Sequence, residues 1–66
     1  MEIWKVGQKV EFPLATGRIV SGVIVEVDDC DGKYPENPWI GIAFENAKRF
    51  ATQKTLIADG VCVVEE

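Results

Sequence analysis

Several residue types that catalytic sites use are rare or missing in this chain. It contains no histidine, a single serine, Ser21, and two cysteines, Cys30 and Cys62. Histidine is the side chain that exchanges protons most readily near neutral pH, and a nucleophilic serine or cysteine needs a base beside it. Neither the serine nor the cysteines have such a partner nearby in sequence. The sequence therefore predicts a protein that is not an enzyme and has no catalytic residues.

Cysteine pairs, metal-ligand patterns and long apolar runs are also scarce. Two cysteines are too few for a disulfide framework, and their spacing fits no zinc-ligand pair. Cys62 lies in an apolar run and is expected to be buried. No apolar run approaches the roughly 20 residues that span a bilayer, and Met1 to Lys5 lack the layout of a secretory signal. We expect a cytoplasmic protein with no cofactor, no metal and no membrane contact.

Positive charge is in deficit. Seven lysines and arginines stand against eleven aspartates and glutamates, which gives a net charge of −4. This balance disfavours broad binding to nucleic acid or to an anionic membrane. The main basic concentration is Lys48, Arg49 and Lys54, with Arg18 as a further candidate. Three or four charges without interleaved exposed aromatics are more typical of a solvated hairpin than of a phosphate-binding surface.

The length indicates one domain over residues 1–66. A chain this short buries only about 60% of the surface of its unfolded form, so its stability is expected to be marginal. Burial of an exposed Trp4 or Trp39 in a homo-oligomer would reinforce it. Self-association is therefore one of the expected properties.

The most strongly patterned stretch runs from Gly17 to Asp28. β-Branched residues lie at both odd and even positions of this stretch, which favours a pleated strand over a helix. Ser21-Gly22 interrupts this run, and a glycine inside a strand usually marks a bulge or sharp bend where another backbone comes close. We expect one long, bent strand in the interior of a closed or nearly closed sheet.

Alternation of polar and apolar residues predicts strands at 9–12 and 39–44, and the turn signals that precede 49–52 and 61–64 predict two more. A short polar segment before the last strand suits a single turn of 3₁₀ helix, with Leu56 closing one end of the core. A polar connection rich in aspartate, glycine and proline separates the second and third strands. The predicted ranges are strands at 9–12, 39–44, 49–52 and 61–64, the 3₁₀ turn at 53–57 and the connection at 28–38.

Five short strands with a helical turn before the last is the order of SH3-like barrels. The stretch from Val10 to Asp28, with Gly17 and Gly22, resembles the opening hairpin of KOW and Tudor-like SH3 barrels, and residues 39–50 resemble their next hairpin. The resemblance implies an all-β fold, a five-stranded SH3-like barrel with one short 3₁₀ turn before the last strand. The chain departs from the KOW pattern at residues 13–16, where a Gly-rich basic turn would be expected.

Aromatic residues are the main candidates for a binding surface. In SH3-like and Tudor barrels such residues receive peptides or methylated side chains, and here Tyr34, Trp39 and Phe50 are placed to line a groove beside the long connection. Packing and surface contact are equally compatible with Trp39 and Tyr34. We expect a binding module, an accessory or inhibitor protein, whose partner is another protein or a second copy.

Three alternatives stay open at this point. A KOW-type module would bind nucleic acid through Lys48, Arg49 and Lys54. A cation could bind the loop from Asp28 to Asp31, although the spacing fails the EF-hand pattern and a solvated turn is favoured. A small enzyme could form at a pore between subunits, as in the type II dihydrofolate reductases, but their Val-Gln-Ile-Tyr signature is absent here.

Overall fold

The computed structural model describes residues 3–29, 32–33 and 36–64. Within these ranges the chain forms five antiparallel strands and one short helix. All five strands belong to one sheet with the order β4-β3-β2-β1-β5. The elements are β1 (Lys9–Pro13), β2 (Ile19–Asp28), β3 (Trp39–Ala43), β4 (Lys48–Thr52), α1 (Gln53–Ala58) and β5 (Cys62–Val64).

β2 is the central strand of the sheet, as the sequence predicted. It is ten residues long; its first half, residues 19–23, pairs with β1, and its second half, residues 23–28, pairs with β3. The register with β3 shifts between Ile24 and Glu26, so the irregularity lies later than the predicted Ser21-Gly22. Gly22 is instead a point of close packing, because a Cβ atom there would lie 2.8 Å from Ile42 Cγ2.

The hydrophobic core lies on one face of this sheet. Its buried members come from the N-terminal segment, β1, β2, β3, α1 and the residue before β5, so distant parts of the chain converge on one cluster. Trp4 belongs to the core, so its side chain is not exposed for self-association. The buried cluster consists of Trp4, Val10, Ile24, Ile40, Ile42, Leu56 and Val61.

The sheet is not closed into a barrel by strand pairing. Its edges are β4 and β5, and within the described residues no ladder joins them. The structure therefore confirms a five-stranded antiparallel sheet with one helix, whereas strand pairing does not confirm the predicted closure into a barrel. The Arg49 guanidinium on β4 forms a salt bridge with Asp59, the C-cap residue of α1, and therefore links β4 to the end of the helix that precedes β5.

The segment before the last strand is an α-helix and not the predicted 3₁₀ turn. Thr52 caps its N-terminus, where the hydroxyl oxygen accepts a hydrogen bond from Thr55 N at 3.4 Å. Asp59 N donates to Thr55 O at 3.0 Å, which is α-helical spacing. Leu56 is fully buried, as expected for the residue that closes one end of the core.

The last strand, β5, differs from the prediction at Cys62. Cys62 is exposed and not buried, because Val61 is the residue that enters the core just before the strand begins. Four consecutive apolar residues, 61–64, contain no alternation that would indicate which of them face inward. None of the helical segments in the described ranges is both long and apolar enough to cross a membrane.

Candidate functional site

Trp39 and Phe50 lie together on the outer face of the sheet, the face opposite the core. Trp39 begins β3, and Phe50 lies in the middle of β4, opposite Gly41. Trp39 itself pairs with Thr52, so the two aromatic residues are diagonal neighbours across the ladder. Their rings are stacked, with centroids 5.5 Å apart and planes only 6° from parallel. We call this pair the aromatic face.

Gly41 makes this stacking possible. Along β3, Ile40 and Ile42 are fully buried, so Trp39 and Gly41 point to the other side. A Cβ atom at Gly41 would lie 3.3 Å from Phe50 Cδ2, tighter than ordinary van der Waals contact. The missing side chain therefore leaves the ring of Phe50 room to lie across β3 and reach Trp39.

The aromatic face is open to solvent and lies beside acidic residues. Trp39 is 36% exposed and Phe50 is 53% exposed. On the neighbouring strand β2, Glu26 pairs with Gly41 and Asp28 pairs with Trp39. Both of these acidic residues are exposed. The aromatic face is therefore apolar, with acidic residues on its β2 side.

Tyr34, the third predicted binding residue, lies outside the described residues, so its position beside the aromatic face stays a prediction. Cys30 and Asp31 lie outside them as well. Asp28, Asp29 and Glu36 are described and are exposed. Among the described residues, no group of three or more potential metal ligands comes together. The cation-binding alternative therefore has no support from the acidic residues that the structure does describe.

The three predicted nucleic-acid residues do not form one compact patch. Lys48 begins β4, and Lys54 lies in α1 beyond the other end of that strand. The strand alone separates them by roughly 13 Å at about 3.3 Å per residue. Arg49 is already engaged, because its guanidinium lies 5.2 Å from the centroid of the Phe12 ring and pairs with Asp59.

The structure also contains an open groove that the sequence did not indicate. Its volume is about 360 Å³, and it lies at the end of the sheet where the β1–β2 and β3–β4 connections meet. Phe12 and Phe44 both pack partly against the core. No local pattern could have revealed the groove, because its lining comes from three separate parts of the chain. We call this the Phe12 groove; its principal lining residues are Phe12, Leu14, Val20, Phe44, Lys48 and Arg49.

Three kinds of comparison with known proteins leave this chain without an assigned family. Neither the protein-family models, nor the curated proteins, nor the solved structures gave a significant match.

Proposed function

We propose that this protein is a small SH3-like barrel that acts as a binding module without enzymatic activity. A protein partner docks on the aromatic face, the stacked pair of Trp39 and Phe50. The observation that carries this proposal is the exposure of two parallel aromatic rings on the side of the sheet that the core does not use. The element order supports the barrel assignment, and the Arg49–Asp59 contact links the edge strand β4 to the segment that leads into β5.

Energetics favours the aromatic face as a docking surface. Aromatic side chains dominate binding energies at interfaces because each buries a large area with little loss of rotamer freedom. Removing apolar surface from water contributes about 25 cal/mol per Å². Trp39 and Phe50 are already held against each other, so binding does not have to order them first. A second copy of the chain would use the same surface if the protein self-associates.

The experiment compares two single variants with a matched control. Trp39→Ala and Phe50→Ala remove the aromatic face, whereas Ile57→Ala removes an apolar side chain that is 43% exposed on α1. Partners are first identified by quantitative mass spectrometry of proteins retained by the wild-type chain, and the affinity of each is then measured with purified components. We expect an affinity loss of at least about 10-fold for either aromatic variant, as for a central interface aromatic.

Two outcomes would contradict this proposal. One is a partner whose affinity is unchanged by both aromatic variants. The other is equal weakening by Ile57→Ala, since that would show a general loss of apolar surface instead of a specific site. Sedimentation of the purified chain tests self-association, because a dimer that uses the aromatic face must dissociate in the Trp39→Ala variant.

Nucleic-acid binding is the rival explanation, and it has a separate test. A double variant, Lys48→Glu/Lys54→Glu, reverses two of the candidate charges and leaves the Arg49–Asp59 pair intact. Fluorescence anisotropy with labelled DNA and RNA at low salt should show no binding that depends on these lysines. Tight binding that weakens steeply with salt and is lost in the double variant would favour the rival, since phosphate contacts release counterions.

A further inference from the structure

The Phe12 groove is a concave site that shares no lining residue with the aromatic face. Phe12 pairs with Val20 across β1 and β2, on the side of the sheet that carries the core. Phe12 and Phe44 meet in a tilted arrangement, with ring centroids 6.5 Å apart. Leu14 is 39% exposed beside them. The floor of the groove is therefore apolar and remains open to solvent.

The margin of the groove is basic, although the protein as a whole is acidic. Lys48 and Arg49 line one side. Arg49 donates to Asp59, but a guanidinium has five N–H donors and the contact with Asp59 involves one of its terminal nitrogens. Lys48 has no side-chain partner in the described part of the chain. Glu45 belongs to the β3–β4 connection but is not among the residues that line the groove.

We propose that the Phe12 groove binds an acidic peptide segment of another protein, with one apolar side chain inserted between Phe12, Leu14 and Phe44. A carboxylate next to that side chain contacts Lys48 and the free N–H groups of Arg49. The charge of the margin selects an anionic occupant, because a cationic one would face the ammonium group of Lys48, which pairs with no acidic side chain among the described residues. This inference does not depend on the function proposed for the aromatic face.

The open shape of the groove, and not its volume, favours a peptide over a small molecule. Pockets for small ligands range from about 300 to 1,000 Å³ and bury most of the ligand surface. The groove has a volume of about 360 Å³, within that range, but it is open to solvent and would leave part of a small ligand exposed. A ligand held there needs further contacts outside it, which the flanking residues of a peptide supply.

The test uses capped pentapeptides with a central leucine flanked by glutamates. Amide chemical shifts of the ¹⁵N-labelled protein are followed at peptide concentrations up to about 1 mM, where weak binding is detectable. We expect shifts at Leu14, Phe44 and Ala47. Replacing the central leucine by alanine should weaken binding about 10-fold or more, because three buried carbons are lost. Replacing the glutamates by lysines should abolish it.

Protein variants locate the site. Lys48→Glu should weaken binding of the glutamate peptide about 5-fold or more, whereas Lys54→Glu, the same charge change at the other end of β4, should alter it less than about 2-fold. Leu14→Asp places a charge in the groove and should abolish binding. Trp39→Ala should leave it unchanged. Dispersed amide spectra of each variant show that the fold is retained.

Several results would overturn the proposal. Equal binding of the lysine peptide, or insensitivity to the central leucine, would show that neither charge nor the apolar floor selects the ligand. Shifts centred on Trp39 and Phe50 would place the peptide on the aromatic face. Octanoate binding as tightly as the peptide would identify a small-molecule site. Shifts at the groove that grow with protein concentration alone would identify a second copy as its occupant.

Discussion

At the scale of single residues, Gly22 packs tightly against two side chains near the end of β3. A Cβ atom there would lie 2.8 Å from both Ile42 Cγ2 and Phe44 Cδ1. Ile42 is fully buried, so it could move only by displacing its neighbours in a close-packed interior. We expect Gly22→Ala to destabilise the protein by about 1–3 kcal/mol through overpacking. Urea unfolding followed by tryptophan fluorescence measures this difference.

The control for Gly22→Ala is its neighbour on the same strand. Ser21 is exposed, so Ser21→Ala should change the free energy of unfolding by less than about 0.5 kcal/mol. A Gly22→Ala protein as stable as Ser21→Ala would mean that β2 and the end of β3 are farther apart than the structure places them.

Two glutamines provide a matched pair for a second prediction. Gln53 Oε1 accepts a hydrogen bond from Trp4 N at 3.0 Å, and Gln53 is fully buried. Gln8 Oε1 accepts from Lys5 N at 2.7 Å at an exposed site. Gln53→Leu leaves a buried N–H without a partner, which should cost about 1–3 kcal/mol. Gln8→Leu should cost less than about 1 kcal/mol, because water replaces the lost acceptor.

Fluorescence distinguishes this mechanism from a general loss of stability. Loss of the Gln53 contact should release the N-terminal segment and shift the Trp4 emission to the red in the folded protein, without any change on Gln8→Leu. The emission shift is best measured in a Trp39→Phe variant, in which Trp4 is the remaining tryptophan. Equal effects of the two substitutions would contradict the view that Gln53 anchors this segment to α1.

At the scale of elements, α1 depends on its cap. Thr52 Oγ1 accepts from Thr55 N and also donates to Thr55 Oγ1 at 2.8 Å. This helix has only six residues, so it contains few intrahelical hydrogen bonds, and its stability depends on partners for the backbone N–H groups at its N-terminus. Thr52→Ala should reduce the free energy of unfolding by about 0.5–2 kcal/mol. Thr52→Ser retains the hydroxyl and should recover most of that loss, as measured by denaturant unfolding. Similar values for alanine and serine would show that the cap contributes nothing.

The strands were predictable from sequence because period-two patterns and β-branched residues leave few alternatives. The central position of β2 followed from its apolar residues on both alternations. The type of α1 did not follow, because a buried glutamine contributes no apolar signal and its partner, Trp4, lies 49 positions away in sequence. The register shift after Ile24 depends on how β2 meets β3, which no local pattern encodes.

The candidate site was predictable only in part for the same reason. Trp39 and Phe50 were identified from residue type, and the structure brings them into contact. Their stacking depends on Gly41, whose role becomes visible only when the β3–β4 register is known. The groove beside Phe12 combines three chain segments and two basic residues, so its detection required the tertiary structure.

At the scale of the whole molecule, the two faces of the sheet differ in the exposure of their apolar side chains. The inner face and α1 hold the buried cluster, whereas the aromatic face contributes little to it. Several other apolar side chains on β2 and β5 are also exposed, including Val23 at 39% and Val64 at 37%. Exposed apolar surface that extends over several strands is characteristic of an interaction surface.

This division predicts opposite results for two neighbouring positions of the β3–β4 hairpin. Ile40→Ala removes a fully buried side chain and should destabilise the chain by about 2–5 kcal/mol. Phe50→Ser removes a larger side chain that is 53% exposed and should cost less than about 1.5 kcal/mol. Thermal unfolding measures both.

Partner binding should follow the reverse order. Phe50→Ser removes the contact surface, whereas Ile40→Ala retains it at a temperature where the variant remains folded. If Phe50→Ser unfolded the protein as readily as Ile40→Ala, the aromatic pair would be part of the core and its assignment as a docking surface would be wrong.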